Sequence, residues 1–134
     1  MGKSLFGMAP RVYVCDQNPR MRQLIAERLQ GHGTIVGEGA SAKEAVAATT
    51  ELEPDMVVLD YRTTIGAIEE TVASIKEQCP SAVVVVHTGV PRDLIGEQVQ
   101  AAGAVYSSKS EPEHLIALVG SLKPAPGEAA SRGS

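Results

Sequence analysis

Cysteine is scarce in this chain: Cys15 and Cys79 are the only two. Two are too few for a disulfide framework and show no metal-ligand spacing, so both read as buried thiols of a reducing cytoplasm. Long apolar runs are also missing. None approaches the ~20 residues of a membrane span, and Met1 to Pro10 lacks the long apolar core of a signal peptide. Nor is charge of one sign concentrated. The net charge is a mild -4, which gives no support for a nucleic-acid-binding surface with clustered Lys and Arg. These absences leave an ordinary globular composition, 43% hydrophobic and 21% charged over 134 residues. That length suits one domain with a real core. The expected location is cytoplasmic, with no membrane and no direct nucleic-acid partner.

What is present is a regular alternation. Asp55 to Asp60 (DMVVLD) is a short apolar run with an acidic residue at each end, and it reads as a buried strand delivering the Asp60 carboxylate to its carboxyl end. Before it, Arg11 to Cys15 is a β-branched and aromatic strand with Asp16 at its end. Asn18-Pro19 then supplies a cap and a proline at the first helical position. Met21, Leu24, Ile25 and Leu29 recur at helical spacing until Gly31-His32-Gly33 stops them. Thr34 to Ala40 is a weaker strand. Ser41 with Glu44 makes a capping-box pattern, and Ala42, Ala45, Val46 and Thr49 form a narrow helical face that ends before Pro54.

Beyond Asp60, Tyr61 to Ala67 reads as a loop. Ile68, Val72, Ile75 and Cys79 then form the face of a third helix, broken by Pro80-Ser81. Ala82 to Val86 is a solid aliphatic run, with His87-Thr88 at its end. Such continuous apolar strands belong to parallel sheets covered on both faces. Pro91 opens a fourth helix with Ile95, Val99 and Ala102 on one face, and Gly103 ends it. Ala104 to Ser108 is a fifth strand, followed by Lys109. Ser110 or Glu111 is the expected cap of a fifth helix carrying Leu115, Leu118, Val119 and Leu122. Residues 1–10 read as a disordered lead-in and the Pro-, Gly-, Ala- and Ser-rich residues 123–134 as a flexible tail or linker, leaving 11–122 as the domain.

Five β-α units in strict alternation predict a doubly wound α/β fold with a parallel sheet. The flavodoxin-like order 2-1-3-4-5 fits five strands, and it makes strands 1 and 3 neighbours at the switch point. Asp16, Asp60, Thr88 and Lys109 then share one edge of the sheet. Two facing carboxylates repel unless a cation lies between them. Hard oxygen donors of this kind suit Mg²⁺, Lys109 can pair with a carboxylate or an added phosphoryl group, and Thr88 offers a hydroxyl. Such a set can stabilise charge on a phosphoryl oxygen during transfer to a carboxylate.

With these residues in place, the chain resembles the receiver domains of bacterial two-component response regulators over about Arg11 to Leu122. The resemblance implies Asp60, within PDMVVLD, as phosphoacceptor. It implies Asp16, Asp60 and the backbone carbonyl of Arg62 as Mg²⁺ ligands, Thr88 and Lys109 as partners of the phosphoryl group, and Thr88 with Tyr106 as the switch pair. Four departures stand out. Cys15 replaces the first member of the usual acidic pair, Thr63-Thr64 replace a Met-Pro, Gly89 follows Thr88 where Ala is usual, and Ser110 replaces a proline after the lysine.

The function so implied is a phosphoprotein switch. A histidine kinase or phosphotransfer protein would phosphorylate Asp60, and the face made by helix 4, strand 5 and helix 5 would change its affinity for a partner, with transcriptional output. Such a domain is not an enzyme in the ordinary sense; it takes part only in its own phosphorylation and dephosphorylation. The resemblance leaves open both a stand-alone receiver and one with an output domain outside this chain, and it allows homodimerisation through the same face. Cys15 and the altered loop favour an alternative, a phosphate-independent pseudo-receiver acting as an interaction module. A flavodoxin-like cofactor binder would need a Gly-rich phosphate cradle after strand 1, and Asp16-Gln17-Asn18-Pro19 is not one. Each site residue also has a plainer reading, as a strand-end carboxylate, a turn cap, a structural hydroxyl, a solvated lysine or a strand aromatic. For His87, beside Thr88, the plain reading is the stronger, because no second imidazole accompanies it.

Overall fold

The computed structural model describes residues 9–122. Alternation along the chain produces β1 (Arg11–Cys15), α1 (Pro19–Arg28), β2 (Thr34–Gly39), α2 (Ala42–Leu52), β3 (Met56–Leu59), α3 (Ile68–Gln78), β4 (Val83–Thr88), α4 (Arg92–Ala101), β5 (Val105–Ser108) and α5 (Pro112–Gly120). All strand pairs are parallel, as the alternation predicts, and the sheet order β2-β1-β3-β4-β5 is the flavodoxin-like one expected for five strands.

The central strand β3 is apolar throughout, and its neighbours β1 and β4 nearly so, because both sheet faces are covered there. Val57 and Leu59 of β3 join Tyr13, Cys15, Val84 and Val86 in a core shared with Ala45, Val72 and Val99 of α2, α3 and α4. Met56 and Val58 point the other way, into a core with Val12, Val14, Val85, Ile25 and Leu29, closed by Leu115 and Val119 of α5. Burial of these side chains supplies most of the folding free energy, at about 25 cal/mol per Å² of apolar surface removed from water.

Local chemistry sets the helix ends. Asn18 caps α1, its side chain accepting from Arg20 N–H, and Pro19 takes the first helical position. Gly103, at φ 91°, provides the left-handed residue that turns the chain from α4 into β5. Arg11 Nη1 reaches the Leu52 and Glu53 carbonyls at 2.6 and 3.0 Å, satisfying the exposed end of α2.

Three local expectations are corrected. The capping box at α2 is displaced: Ser41 Oγ accepts from Glu44 N–H at 3.2 Å, but Glu44 Oε1 accepts from Ala40 N–H rather than from Ser41. Helix α5 begins after Glu111 with no side-chain cap, because Ser110 N–H is turned to Ser108 Oγ and Pro112 leaves one fewer donor to satisfy. The loop after β3 contains a 3-10 turn, Tyr61–Thr64, held by its two threonine hydroxyls. The expected lead-in and tail fall mostly outside the described residues. Pro10 is described; it is buried, and its carbonyl accepts from Thr34 N–H at 2.8 Å.

Candidate phosphoryl-acceptor site

The switch point between β1 and β3 places two acidic strand ends side by side. Asp16 and Asp60 are 3% and 5% exposed, and they share one cation. Lys109 Nζ, one residue past β5, lies 2.9 Å from Asp16 Oδ2 and 3.0 Å from Asp60 Oδ1. Two carboxylates in so little water would repel; the ammonium between them offsets that repulsion. The backbone completes the arrangement. Asp16 Oδ1 accepts from Asn18 N–H at 2.8 Å, Asp60 N–H donates to the Cys15 carbonyl at 2.9 Å, and Lys109 N–H donates to the Thr88 carbonyl at 2.8 Å.

No protein-family model matches the chain. It is 30% identical over 97 residues to the chemotaxis protein CheY of Halobacterium salinarum, covering 72% of this chain and 81% of that protein. The chain belongs to the receiver domains of response regulators. Receivers also occur inside longer relatives. This one is 32% identical over 78 residues to protein-glutamate methylesterase/protein-glutamine glutaminase 1 of Pseudomonas aeruginosa. That match covers 57% of this chain and 21% of the relative, so the receiver spans about a fifth of that protein's length. In fold it is similar to the signal receiver domain of the response regulator NarL from Mycobacterium tuberculosis, with a TM-score of 0.76 at 22% identity, covering 88% of this chain and 99% of the other.

The remaining candidate residues surround this centre. Arg62 is exposed on the 3-10 turn directly after Asp60. Thr88 is buried at the end of β4, and its hydroxyl accepts from Val90 N–H at 3.1 Å. Tyr106 of β5 is also buried. Its hydroxyl donates to the Val90 carbonyl, and the Arg92 guanidinium lies 4.5 Å from its ring centroid. Thr88 and Tyr106 thus meet at one residue of the β4-α4 loop. Asp16, Asp60 and Lys109 are brought into direct contact; Thr88 and Tyr106 are linked through Val90.

Cys15, where the family pattern has an acid, is buried with Sγ 3.2 Å from the Ser41 carbonyl. Burial pushes its thiol up to about 11, outweighing the lowering influence of the nearby Thr63 hydroxyl, so it stays neutral at physiological pH. Among the described residues no three His, Cys, Asp or Glu side chains converge as a metal cage. The donor set is two carboxylates, which fits an ion that retains much of its water, as Mg²⁺ does.

Several supporting residues escaped the sequence reading. Arg22 Nη1 donates to the Asp16 carbonyl at 2.6 Å and Nε pairs with Glu38 at 3.1 Å, tying the β1-α1 loop to β2. Val90 joins Thr88 and Tyr106 through its backbone N–H and carbonyl, which no side-chain pattern reveals. Arg22 could have been found from its place on the first turns of α1, one helical turn after the Asn18 cap. His87 takes a structural place: it is buried, with Nδ1 3.0 Å from Ser107 Oγ.

Proposed function

We propose that this receiver is a phosphorylation switch whose acceptor is Asp60. The observation that carries the reading is the Lys109 ammonium bridging Asp16 and Asp60 at adjacent strand ends. A carboxylate already facing a cation can accept a phosphoryl group without building new negative charge in an unprepared place. The donor would be a phosphohistidine of a histidine kinase or phosphotransfer protein. An Asp60 oxygen forms the new bond to phosphorus as the phosphorus-nitrogen bond breaks, and the leaving imidazole keeps the bonding pair. Lys109 then pairs with a phosphoryl oxygen. Asp16, Asp60 and the Arg62 carbonyl would hold Mg²⁺, which when bound supplies charge neutralisation at the phosphoryl oxygens. The domain modifies only itself and turns over no separate substrate.

The output step follows from the link at Val90. Drawing the Thr88 hydroxyl toward a phosphoryl oxygen takes it from Val90 N–H and loosens the loop that Tyr106 holds by the Val90 carbonyl. The surface of α4, β5 and α5 would then change its affinity for a partner, as a second copy or a transcriptional output domain. The ring of Tyr106 is already inward, so phosphorylation acts on the loop above it more than on the ring itself.

Intact-mass measurement after incubation with phosphoramidate and Mg²⁺ tests the reading. The expected result is a gain of one phosphoryl group that is absent in Asp60→Asn. No gain in the unmodified chain, with no Mg²⁺-dependent binding of beryllofluoride, would sink it and leave a receiver that works without phosphate.

A further inference from the structure

Asp60 enters its turn with both backbone groups fixed. Its N–H is held by the Cys15 carbonyl, and its own carbonyl accepts twice, from Thr63 N–H at 3.0 Å and from the Thr63 hydroxyl at 2.6 Å. Thr64, which is buried, repeats the pattern one residue on, donating its hydroxyl to the Tyr61 carbonyl at 2.8 Å. Ala67 N–H then donates to the Thr64 carbonyl at 2.8 Å. A hydroxyl bonded to the carbonyl three residues back is a local competitor of regular structure. Here it closes a 3-10 turn, whose own backbone bonds have poor geometry. The Thr63 hydroxyl therefore acts on the Asp60 carbonyl directly, within the turn that Asp60 opens.

We propose that Thr63 is a positioning residue of the acceptor site, its hydroxyl locking the Asp60 carbonyl so that the Asp60 carboxylate stays on Lys109 and the Arg62 carbonyl stays beside it. The inference rests on the reading of Asp60 as phosphoacceptor. Thr63 touches neither phosphoryl group nor donor; it acts through the Asp60 backbone. Without the hydroxyl the Asp60 carbonyl keeps one bond, from the Thr63 amide of the 3-10 turn. The carboxylate then ranges more widely, while in-line attack needs reacting atoms held within about 0.5 Å of their productive places. On this account Thr63, one of the departures from the family pattern, stabilises the turn that follows Asp60.

The test compares Thr63→Val, which keeps the β-branched shape, Thr63→Ala, and Thr63→Ser, which keeps the hydroxyl. Thr63 is half-buried, so none of these leaves a large cavity. Initial rates of phosphorylation of the full chain by phosphoramidate are followed by intact mass across a Mg²⁺ titration, with thermal unfolding measured in parallel. Thr63→Val and Thr63→Ala are expected to slow phosphorylation about tenfold, the worth of one well-placed hydrogen bond. Thr63→Ser is expected to recover the rate to within about twofold. Wild-type rates in Thr63→Val and Thr63→Ala would overturn the proposal. So would a Thr63→Ser rate as slow as theirs, since packing and not the hydroxyl would then be at work. Failure of the unmodified chain to take phosphoryl would instead strike the acceptor reading itself, and the proposal would fall with it.

Discussion

His87 stands on the sheet face packed by α1 and α5, opposite in strand alternation to Val86. Nδ1 has Ser107 as partner, while Nε2 has no hydrogen-bond partner among the described residues. Burial lowers its pKa from the ordinary 6.5 to about 4, and the nearby Lys109, Arg28 and His114 charges push the same way against Asp16. The folded protein therefore refuses a proton that the unfolded chain accepts. His87 imposes no penalty above pH 6.5, and stability falls as pH drops from 6.5 toward about 4. The loss approaches about 3 kcal/mol at the acid end of that window. Urea unfolding at pH 7, 5.5 and 4 should show this slope, and His87→Leu should flatten it while costing some stability at pH 7. An equal slope in the variant would assign the effect to carboxylates instead. The sequence marked His87 as a strand-end residue with a plain role, but its orphaned nitrogen was invisible there, because that depends on which helices cover the strand.

At the scale of the element, β2 is shaped by an aromatic on its neighbour. The β1-β2 register shifts between Val12 and Tyr13, which sets Gly37 opposite Tyr13 and Gly39 opposite Cys15. The Tyr13 ring lies across both glycines. A Cβ at Gly39 would stand 2.1 Å from the Tyr13 hydroxyl oxygen and 3.0 Å from Glu44 Oε1, the atom that accepts from Ala40 N–H. Gly39→Ala is therefore expected to cost about 2 kcal/mol through overpacking. Adding Tyr13→Phe removes the clashing oxygen and should recover more than half of that loss, as read by chemical denaturation. No recovery would place the strain at Glu44. The sequence showed β2 as a weak strand without saying why. Its glycines, which weaken the strand pattern, are what admit the tyrosine.

Across the whole molecule, Lys109 is a clasp between distant parts of the chain. It follows β5, at the sheet edge, and reaches past β4 to carboxylates on β3 and β1, at sequence separations of 49 and 93 residues. Removing it leaves two nearly buried carboxylates facing each other. Lys109→Met is expected to lower the stability of the metal-free protein by on the order of 3 kcal/mol. If Mg²⁺ binds as proposed, between Asp16 and Asp60 of the folded state, the variant's stability should also depend more steeply on the ion, which would supply the missing positive charge. Thermal unfolding with and without Mg²⁺ measures both effects. A variant as stable as the parent, with the same Mg²⁺ response, would show that the clasp carries no net energy.

The sequence by itself determined the α/β alternation and which residues stand at the carboxyl ends of the strands, Asp16, Asp60, Thr88 and Lys109 among them; the order 2-1-3-4-5 is one common arrangement that fits five strands. The alternation follows from short-range chemistry: the apolar period of each segment, the Asn18-Pro19 start and the stop after α4 at Gly103. Only the tertiary structure decided that one ammonium spans both carboxylates and that the Thr88 hydroxyl and the Tyr106 hydroxyl meet at Val90. These contacts join residues on different strands and loops, so they depend on inter-strand register and on which rotamers the covering helices allow. No window of sequence contains those quantities.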